Sequence, residues 1–418
     1  MAKRLTLYIM IGLVLGIILG AILNISIKSP ERLKAIADDF KIVTDVFLNL
    51  IKMIIAPLVF ATLVSGIAHM GDTKTLGRIG LRTMAWFIGA TFVSLTLGLI
   101  LVNLLQPGSA GAPLPLPPIG AKVGLETSAF NLHDFITHIF PKSIIDAMAK
   151  NEILPIVVFS LFFGVAITAV GEKASAIVKG IDALVEVMLK ITDYVMRTAP
   201  IAVFAAMAGA VAVNGITILI TFSKFIGSFY LGLAILWIVL GFAGFAIIGP
   251  RIGQLFRYIR EPIMLAFSTA SSEAAYPRTL ESLERFGVPP KIASFVLPLG
   301  YSFNLDGSMM YMTFATLFIA QLYGMEFTAT EQIIMVLTLM ITSKGIAGVP
   351  RASLVVISAV MGQFKIPEAG LVLILAVDQF LDMGRSATNV VGNAVATAVV
   401  AKWESRFDHA ADLKPPPL

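Results

Sequence analysis

Long apolar runs alternate with short polar connections along this chain. Eight of the runs approach or exceed the roughly twenty residues that a helix needs to cross a bilayer at about 1.5 Å per residue. We place these spans at 5–24, 42–69, 81–105, 152–171, 180–212, 216–249, 291–323 and 366–401. Because only helices and closed barrels satisfy their backbone hydrogen bonds in lipid, the pattern predicts an all-α polytopic membrane protein. In the first span, Gly12, Gly16 and Gly20 recur every four residues, a spacing typical of close helix packing.

One apolar segment is too short to cross the bilayer. Between Glu261 and Arg278 lie only sixteen residues. We expect a re-entrant hairpin over 253–288 that enters and leaves on the cytoplasmic side, because basic residues flank it. Its tip carries the hydroxyl groups of Ser271 and Ser272.

A second segment, 329–364, has the same character. Lys344 and Arg351 divide it into arms of twelve and thirteen apolar residues, and glycines with Pro350 lie at its tip. We expect this hairpin to enter from the extracellular side. Irregular backbone at membrane depth is tolerated only where it lines a cavity or is enclosed by protein. Two tips that meet from opposite faces therefore predict a binding site near the bilayer midplane.

The span between the hairpins contains a polar interruption, Gly300-Tyr301-Ser302-Phe303-Asn304-Leu305-Asp306-Gly307-Ser308. An Asp in the middle of a span costs about 2.5–3.5 kcal/mol on insertion scales, so it normally has a partner or an ion. Unwound carbonyl groups beside Asp306 would coordinate a small hard cation. The alternative is a buried Asp306 bonded to its own broken backbone.

The last span carries a polar stripe formed by Asp378, Asp382, Arg385, Asn389 and Asn393. At about 100° per residue these five side chains fall within an arc of roughly 80° on one helix face. The planar guanidinium is suited to a carboxylate, and the acid three residues before it could receive an ammonium group. In the alternative interpretation, the acid and the guanidinium only neutralise each other at i, i+3.

Composition supports a membrane protein and removes several chemistries. Hydrophobic residues make up 57% of the 418 positions and charged residues only 14%, and there is no Cys. Disulfides, thiolate nucleophiles and cysteine-held metals are excluded, and the four scattered His residues predict no metal site. We expect no cofactor. The net charge of +5 does not indicate nucleic-acid binding, because the basic residues lie mainly in short loops between the spans. The distribution of these residues among the loops places both termini in the cytoplasm.

The quoted motifs resemble those of the glutamate transporter, or dicarboxylate/amino acid:cation symporter, family. The resemblance covers nearly the whole chain. It rests on Ser271-Ser272, on Asn304-Leu305-Asp306-Gly307-Ser308, on Gly345-Ile346-Ala347-Gly348-Val349-Pro350, and on Asp382-Met383-Gly384-Arg385 through Asn389.

The resemblance implies eight transmembrane helices plus two re-entrant helical hairpins, inverted repeats, a homotrimer in the bacterial cytoplasmic (inner) membrane, and an elevator mechanism. The implied scaffold comprises 1–75 (helices 1 and 2) and 151–214 (helices 4 and 5). The implied transport domain comprises 76–106 (helix 3) and 215–402 (helix 6, the first hairpin, helix 7, the second hairpin and helix 8). Outside both lie an extracellular Pro-rich loop, 107–150, and a cytoplasmic tail, 403–418.

The resemblance also implies roles in substrate binding. Arg385 would hold a side-chain carboxylate, Asp382 an amino group, and Asn389 the main-chain carboxylate or amine. The remaining expected pocket residues are Ser271, Ser272, Ser308, Ser386 and the backbone at Val349. A small dianionic substrate is indicated. Succinate or malate would leave Asp382 without an ammonium partner unless it takes up a proton, so we favour glutamate and aspartate, with a C4-dicarboxylate (succinate, fumarate or malate) as the alternative.

The prediction of the coupling ion rests on positions at which this chain differs from the sodium-driven members of the family it resembles. Asn393 replaces an acid of those relatives, and Gly89 and Ala90 replace a Tyr and a Thr. Residual sodium ligands would be Thr91, Gly300, Asn304, Asp306, Ser308, Ser343, Ile346, Asn389 and Asn393.

Our hypothesis is proton symport, with sodium as an additional or alternative coupling ion. The candidate proton carriers are Glu273, Asp306, Asp378 and Asp382, because burial disfavours the charged form of a carboxyl group. An equal alternative has Glu273 anchor the hairpin tip to Lys344 or Arg278.

Two other function classes fit less well. An intramembrane hydrolase would need a nucleophile beside a base, and no His lies within a span near these residues. A passive channel would need a continuous polar pore with rings of like charge, whereas the charges here converge on one pocket.

Overall fold

The computed structural model describes residues 2–68, 73–108, 137, 139–215, 222–343, 352–375 and 377–404. Within these ranges every regular element is a helix and no strand occurs. Most of the expected Pro-rich loop, the tip of the second hairpin and the tail beyond 404 lie outside the described residues. Val349 and Ile346, both predicted site residues, are among them.

The helices are numbered in chain order: α1 Ala2–Ser26, α2 Pro30–Ala68, α3 Thr73–Leu105, α4 Ile144–Ala149, α5 Ile153–Val170, α6 Ser175–Met196, α7 Ala199–Asn214, α8 Ser223–Ile248, α9 Arg251–Thr269, α10 Tyr276–Phe286, α11 Pro290–Phe303, α12 Asp306–Leu322, α13 Ala329–Thr342, α14 Ala352–Gln363, α15 Leu371–Leu375 and α16 Asp378–Trp403. Short 3₁₀ turns occupy Gly171–Ala174, Glu273–Ala275 and Glu368–Gly370.

Five stretches of the described chain are long and apolar enough to cross a membrane: Leu7–Ser26, Pro30–Ala68, Thr75–Leu105, Ile153–Met196 and Ser223–Ile248. The pair α11–α12 is not among these stretches because the polar interruption divides it into two shorter helices. Helix α16 is not among them because its polar stripe lowers its hydropathy. A total of eight spans therefore stays a prediction.

Several helix boundaries differ from the sequence prediction, and two differ most. The span expected over 180–212 is divided between α6, which ends at Met196, and α7, which begins at Ala199. Pro200 explains the break, because a proline supplies no backbone N–H and is tolerated only in the first turn of a helix. The second span extends far beyond 42–69: α2 has 39 residues and is about 58 Å long.

One group of helices is built on α2 and α7. Helix α1 packs along α7, and α2 packs against α5, α6 and α7. The glycine stripe of α1 makes the first contact possible: a methyl group at Gly16 would lie 2.5 Å from the Phe204 carbonyl oxygen. The packing role expected for this stripe is confirmed.

A second group surrounds α16. Helices α8, α9, α11 and α12 all pack against it, and α3 packs against α12. At the end of α16, Glu404 accepts hydrogen bonds from Arg78 Nη2 at 2.6 Å and Arg82 Nη1 at 2.8 Å, which ties α3 to α16.

Each of the two predicted hairpins is a pair of helices, and the two helices of a pair pack against each other. Helix α9 folds back onto α10, and α13 onto α14. Each pair is followed by an interrupted helix, α11–α12 in one case and α15–α16 in the other. The order of hairpin and broken helix thus occurs twice, and the second break places the polar stripe at the start of α16.

Candidate functional site

The polar interruption predicted near the centre of 291–323 is a true break between helices. Helix α11 ends at Phe303, Asn304 and Leu305 leave the helical conformation, and α12 begins at Asp306. A break exposes the first backbone N–H groups of α12, which have no partner within that helix. At membrane depth such groups require partners from elsewhere in the protein.

Asn389 on α16 supplies those partners. Its Oδ1 accepts hydrogen bonds from the backbone N–H groups of Gly307 at 2.9 Å and Ser308 at 3.2 Å. Its Nδ2 donates to Ser308 Oγ at 3.2 Å. One amide side chain therefore caps α12 and fixes the position of α16 along its axis relative to the break.

Asp306 is the most deeply buried acid of the site and has no exposed surface. Its Oδ1 accepts a hydrogen bond from Ser94 Oγ on α3 at 3.1 Å, and its Oδ2 accepts one from Asn304 Nδ2 at 3.1 Å. The same Asn304 amide donates to Asn393 Oδ1 on α16 at 3.1 Å. Asp306 is thus bonded directly to α3 and to the break, and through Asn304 it is linked to α16, so its partners are not confined to its own backbone.

A glycine makes this convergence possible. A methyl group at Gly392 would overlap the Asp306 Oδ2 atom. Helix α16 can approach the break only because position 392 has no side chain. Gly392 was not predicted, because a single glycine in an apolar helix does not indicate which residues lie against it.

Arg385 occupies the other half of the stripe and is almost wholly buried. Its Nε donates to Asp382 Oδ1 at 2.6 Å, and the Ser386 hydroxyl donates to the same oxygen at 3.0 Å. Among the described residues its Nη1 has no hydrogen-bond partner, although Asp378 Oδ1 lies 3.8 Å away. The pairing at i, i+3 is present, but it leaves part of the guanidinium available for another acceptor.

Tyr311 on α12 completes this cluster. The guanidinium carbon of Arg385 lies 4.7 Å from the centre of the Tyr311 ring, within cation–π distance, and the Tyr311 hydroxyl donates to Asp378 Oδ1 at 2.7 Å. Tyr311 was missed by the sequence analysis. Its position five residues after Asp306, in the same polar-interrupted span, was the available signal.

The first hairpin has an ordered tip. Ala270 takes a left-handed conformation (φ 50°) and ends α9, and the Ser271 hydroxyl accepts a hydrogen bond from the backbone N–H of Ala274 at 3.2 Å. Ser272 is buried beside it, and Glu273 opens the following 3₁₀ turn. Ser271 therefore stabilises the turn, whereas a contact of Ser271 or Ser272 with substrate stays a prediction.

Arg278 does not anchor Glu273 in the described part of the chain. Its ion pairs run to Asp193 on α6 at 2.5 Å, to Glu281 at 2.6 Å and to Glu261 at 3.9 Å. The other partner proposed for Glu273, Lys344, lies outside the described residues.

The predicted sodium ligands divide into two sets. Thr91 donates to the Phe303 carbonyl oxygen at 3.4 Å, and Gly300 lies directly against Asn393, so both border the break. Ser343 instead donates to the Met340 carbonyl of its own helix at 3.1 Å, at the start of the undescribed second tip. The structure brings together Thr91, Gly300, Asn304, Asp306, Ser308, Asn389 and Asn393 around one break.

Comparison with known proteins agrees with this geometry. The family model described as "Sodium:dicarboxylate symporter family" matches residues 5–403. The chain belongs to this family. It is therefore a symporter and not an enzyme, and its apolar helices fit a multi-pass protein of the inner membrane.

Family members with assigned transport activities are similar to most of the chain. A proton/glutamate-aspartate symporter of Escherichia coli (strain K12) is 43% identical over 373 residues, which are 87% of this chain and 85% of the relative. A proton/sodium-glutamate symport protein of Geobacillus stearothermophilus is 40% identical, with 87% of each chain covered. A C4-dicarboxylate transport protein of Laribacter hongkongensis is 39% identical over 90% of this chain and 87% of its own.

We predict that Gly392→Ala abolishes most transport while the protein still folds. The added methyl group must displace the Asp306 carboxylate or push α16 from the break, and overpacking of this kind costs about 1–3 kcal/mol. Initial uptake rates in proteoliposomes, normalised to reconstituted protein, measure the effect. The matched control is Gly227→Ala on α8, where an added methyl group meets no atom within 4 Å. Equal rates for the two variants would contradict the packing described here.

Proposed function

We propose that this protein imports glutamate and aspartate together with protons, using the stripe of α16 as its substrate site. The observation that carries the proposal is the pairing of Arg385 with Asp382. The Arg385 side chain is 6% exposed and has an unbonded Nη1, whereas the Asp382 side chain is 26% exposed. A guanidinium and a carboxylate side by side match the carboxylate and the ammonium of an acidic amino acid.

The charge balance of the cluster supports an amino acid over a plain dicarboxylate. Asp378 and Asp382 both lie within 4 Å of the single guanidinium of Arg385. Succinate and glutamate both bring two carboxylates to a cluster that already has an excess acid, but only glutamate also brings an ammonium group that can pair with Asp382. An unpaired buried charge is strongly destabilising.

The relatives support a small acidic substrate, and they include both amino acid and dicarboxylate transporters. Proton/glutamate-aspartate and C4-dicarboxylate transport proteins both share about two-fifths of their residues with this chain. The dicarboxylate carrier therefore remains the second candidate function, and substrate competition distinguishes the two.

We further propose an elevator mechanism in a homotrimer, with both termini in the cytoplasm. The packing supports a division into a scaffold and a transport domain: α2 and α7 organise one helix group, whereas α16 organises the other. The hydrogen bond of 2.5 Å between Arg278 and Asp193 joins the two groups. On this proposal it must break when the transport domain moves, and Arg278 then keeps Glu261 and Glu281 as partners.

Proton coupling is supported by the partners around the break. Asp306 is bonded to Ser94 and Asn304, and Asn393 offers an amide where sodium-driven relatives are expected to have an acid. The region therefore has fewer anionic oxygens than a site dedicated to a metal cation prefers. Asp306, Asp378, Asp382 and Glu273 remain the candidate carriers.

The substrate prediction is tested by competition. In wild-type proteoliposomes, we expect excess unlabelled aspartate to abolish uptake of labelled glutamate and excess succinate to leave it largely intact. Asp382→Ser should weaken glutamate transport on the order of a hundredfold, because the ammonium loses its buried partner. Asp39→Ser, at an exposed acid of α2, is the matched control. Preference of the wild type for succinate would make the protein a C4-dicarboxylate carrier.

The coupling ion is tested with imposed gradients. In sodium-free proteoliposomes with an alkaline interior, we expect glutamate to accumulate above its external concentration and a protonophore to prevent the accumulation. A sodium gradient without a pH gradient should give no more than the leak seen in protein-free liposomes. Accumulation under the sodium gradient alone would overturn proton coupling and leave the substrate assignment intact.

A further inference from the structure

A cavity of about 370 Å³ lies behind the substrate stripe, on the opposite side of α16. Four helices line it: α1 contributes Leu13, α8 contributes Tyr230 and Trp237, α9 contributes Phe267, and α16 contributes Ala387. The cavity is open on one side, so it is filled by the molecules that surround the protein on that side.

The polar groups of the wall bond to protein and not to the cavity. Trp237 Nε1 donates to Thr388 Oγ1 at 2.8 Å, and Thr388 Oγ1 donates to the Gly384 carbonyl at 2.9 Å. The Tyr230 hydroxyl donates to the Phe380 carbonyl at 2.6 Å. Ser268 is the one further hydroxyl of the wall. Because an enclosed water needs two to four polar partners, this cavity is suited to an apolar occupant.

The mouth of the cavity opens onto the outer face of α8. Ala234 belongs to the wall and is also exposed, and the exposed side chains Leu231 and Ile238 flank it on the same helix. Helix α8 is one of the five described stretches that are long and apolar enough to cross a membrane, and from this we infer that its exposed outer face meets hydrocarbon. The cavity is thus continuous with the surface that meets the lipid.

We propose that an acyl chain of a membrane phospholipid enters between α1 and α8 and fills this cavity. Acyl chains surround the protein on that surface. An acyl chain is flexible and apolar, and it is narrow enough to pass between two helices. This assignment does not depend on the identity of the substrate or of the coupling ion.

The bound chain supports the substrate site from behind. Gly384, Ala387 and Thr388 face the chain, while Arg385 and Asn389 lie on the other side of the same two turns of α16. The chain also contacts α9 near Phe267, one turn before the tip that carries Ser271. Filling the cavity therefore fixes α9 against α16, and transport depends on the acyl composition of the bilayer.

Tryptophan fluorescence gives a direct test, because Trp237 lines the cavity and the chain has only three tryptophans. Trp86 and Trp403 pack on each other, with ring centres 5.9 Å apart, and neither lines the cavity. The parent protein for the test carries Trp86→Phe and Trp403→Phe, so that Trp237 is the sole emitter. It is reconstituted into phosphatidylcholine vesicles with or without bromine atoms on the acyl chains.

We expect brominated chains to quench Trp237 strongly in the parent protein. Ala387→Leu fills the cavity from its inner wall and should reduce this quenching at least twofold. Ala246→Leu, at an exposed position of α8 outside the cavity, is the matched control and should leave the quenching unchanged. If Ala387→Leu fails to fold, Ala234→Leu at the mouth replaces it, because it closes the entry without adding volume beside the substrate stripe.

Two results would overturn the proposal. Equal quenching in the parent and in Ala387→Leu, or in Ala234→Leu where that variant replaces it, would show that bromine reaches Trp237 only from the surrounding bilayer. Quenching of Trp237 by aqueous acrylamide, as efficient as that of free tryptophan, would show that the cavity holds water.

Discussion

The hydrogen bonds between Asn389 and the start of α12 hold the centre of this molecule together. A helix that breaks at membrane depth leaves backbone N–H groups without partners, and in hydrocarbon each such group costs several kcal/mol. One amide on α16 accepts from two of these groups and donates to the Ser308 hydroxyl. The requirement to satisfy the break therefore fixes α16 in place, and the fixed helix determines where Arg385, Asp382 and Asp378 lie.

The same constraint explains why polar residues concentrate around one region of a chain that is otherwise apolar. The Asn304 amide donates to both Asp306 and Asn393 at the break, and Gly392 lets the helices approach closely enough for this. Asn304 Oδ1 and Asn393 Nδ2 are buried without a hydrogen-bond partner among the described residues. Among the described residues, the Nη1 of Arg385 likewise has no hydrogen-bond partner, and Asp378 Oδ1 lies 3.8 Å from it. We interpret the cluster at the break as structural support, because its side chains bond across helices, and the cluster around Arg385 as the place where substrate binds, because it carries the guanidinium.

Much of this arrangement could be predicted from the sequence, since polar residues in apolar spans are costly and must meet. The single face of Asp378, Asp382, Arg385, Asn389 and Asn393 follows from helical spacing. The two hairpins follow from the short length of their apolar segments, and the interruption at 300–308 from polar residues within a span. The split of 180–212 into α6 and α7 was not predicted, although Lys190, Asp193 and Arg197 precede Pro200, because the whole run was assigned to one span.

Other features depend on which helices become neighbours, and spacing along one chain does not contain that information. Ser94 and Tyr311 are ordinary polar residues of their own spans, and they gain significance only through their bonds to Asp306 and Asp378. The large cavity behind α16 is likewise formed by four helices that are distant in the sequence.

The central claim is that the stripe of α16 binds a small acidic amino acid between the break and the hairpin tips. An experimental structure of the protein in lipid nanodiscs with saturating glutamate tests it most directly. We predict density for the ligand with its side-chain carboxylate on the Arg385 guanidinium and its ammonium group on Asp382. Ligand density away from these two residues, or a stripe that faces lipid instead of the hairpin tips, would contradict the account.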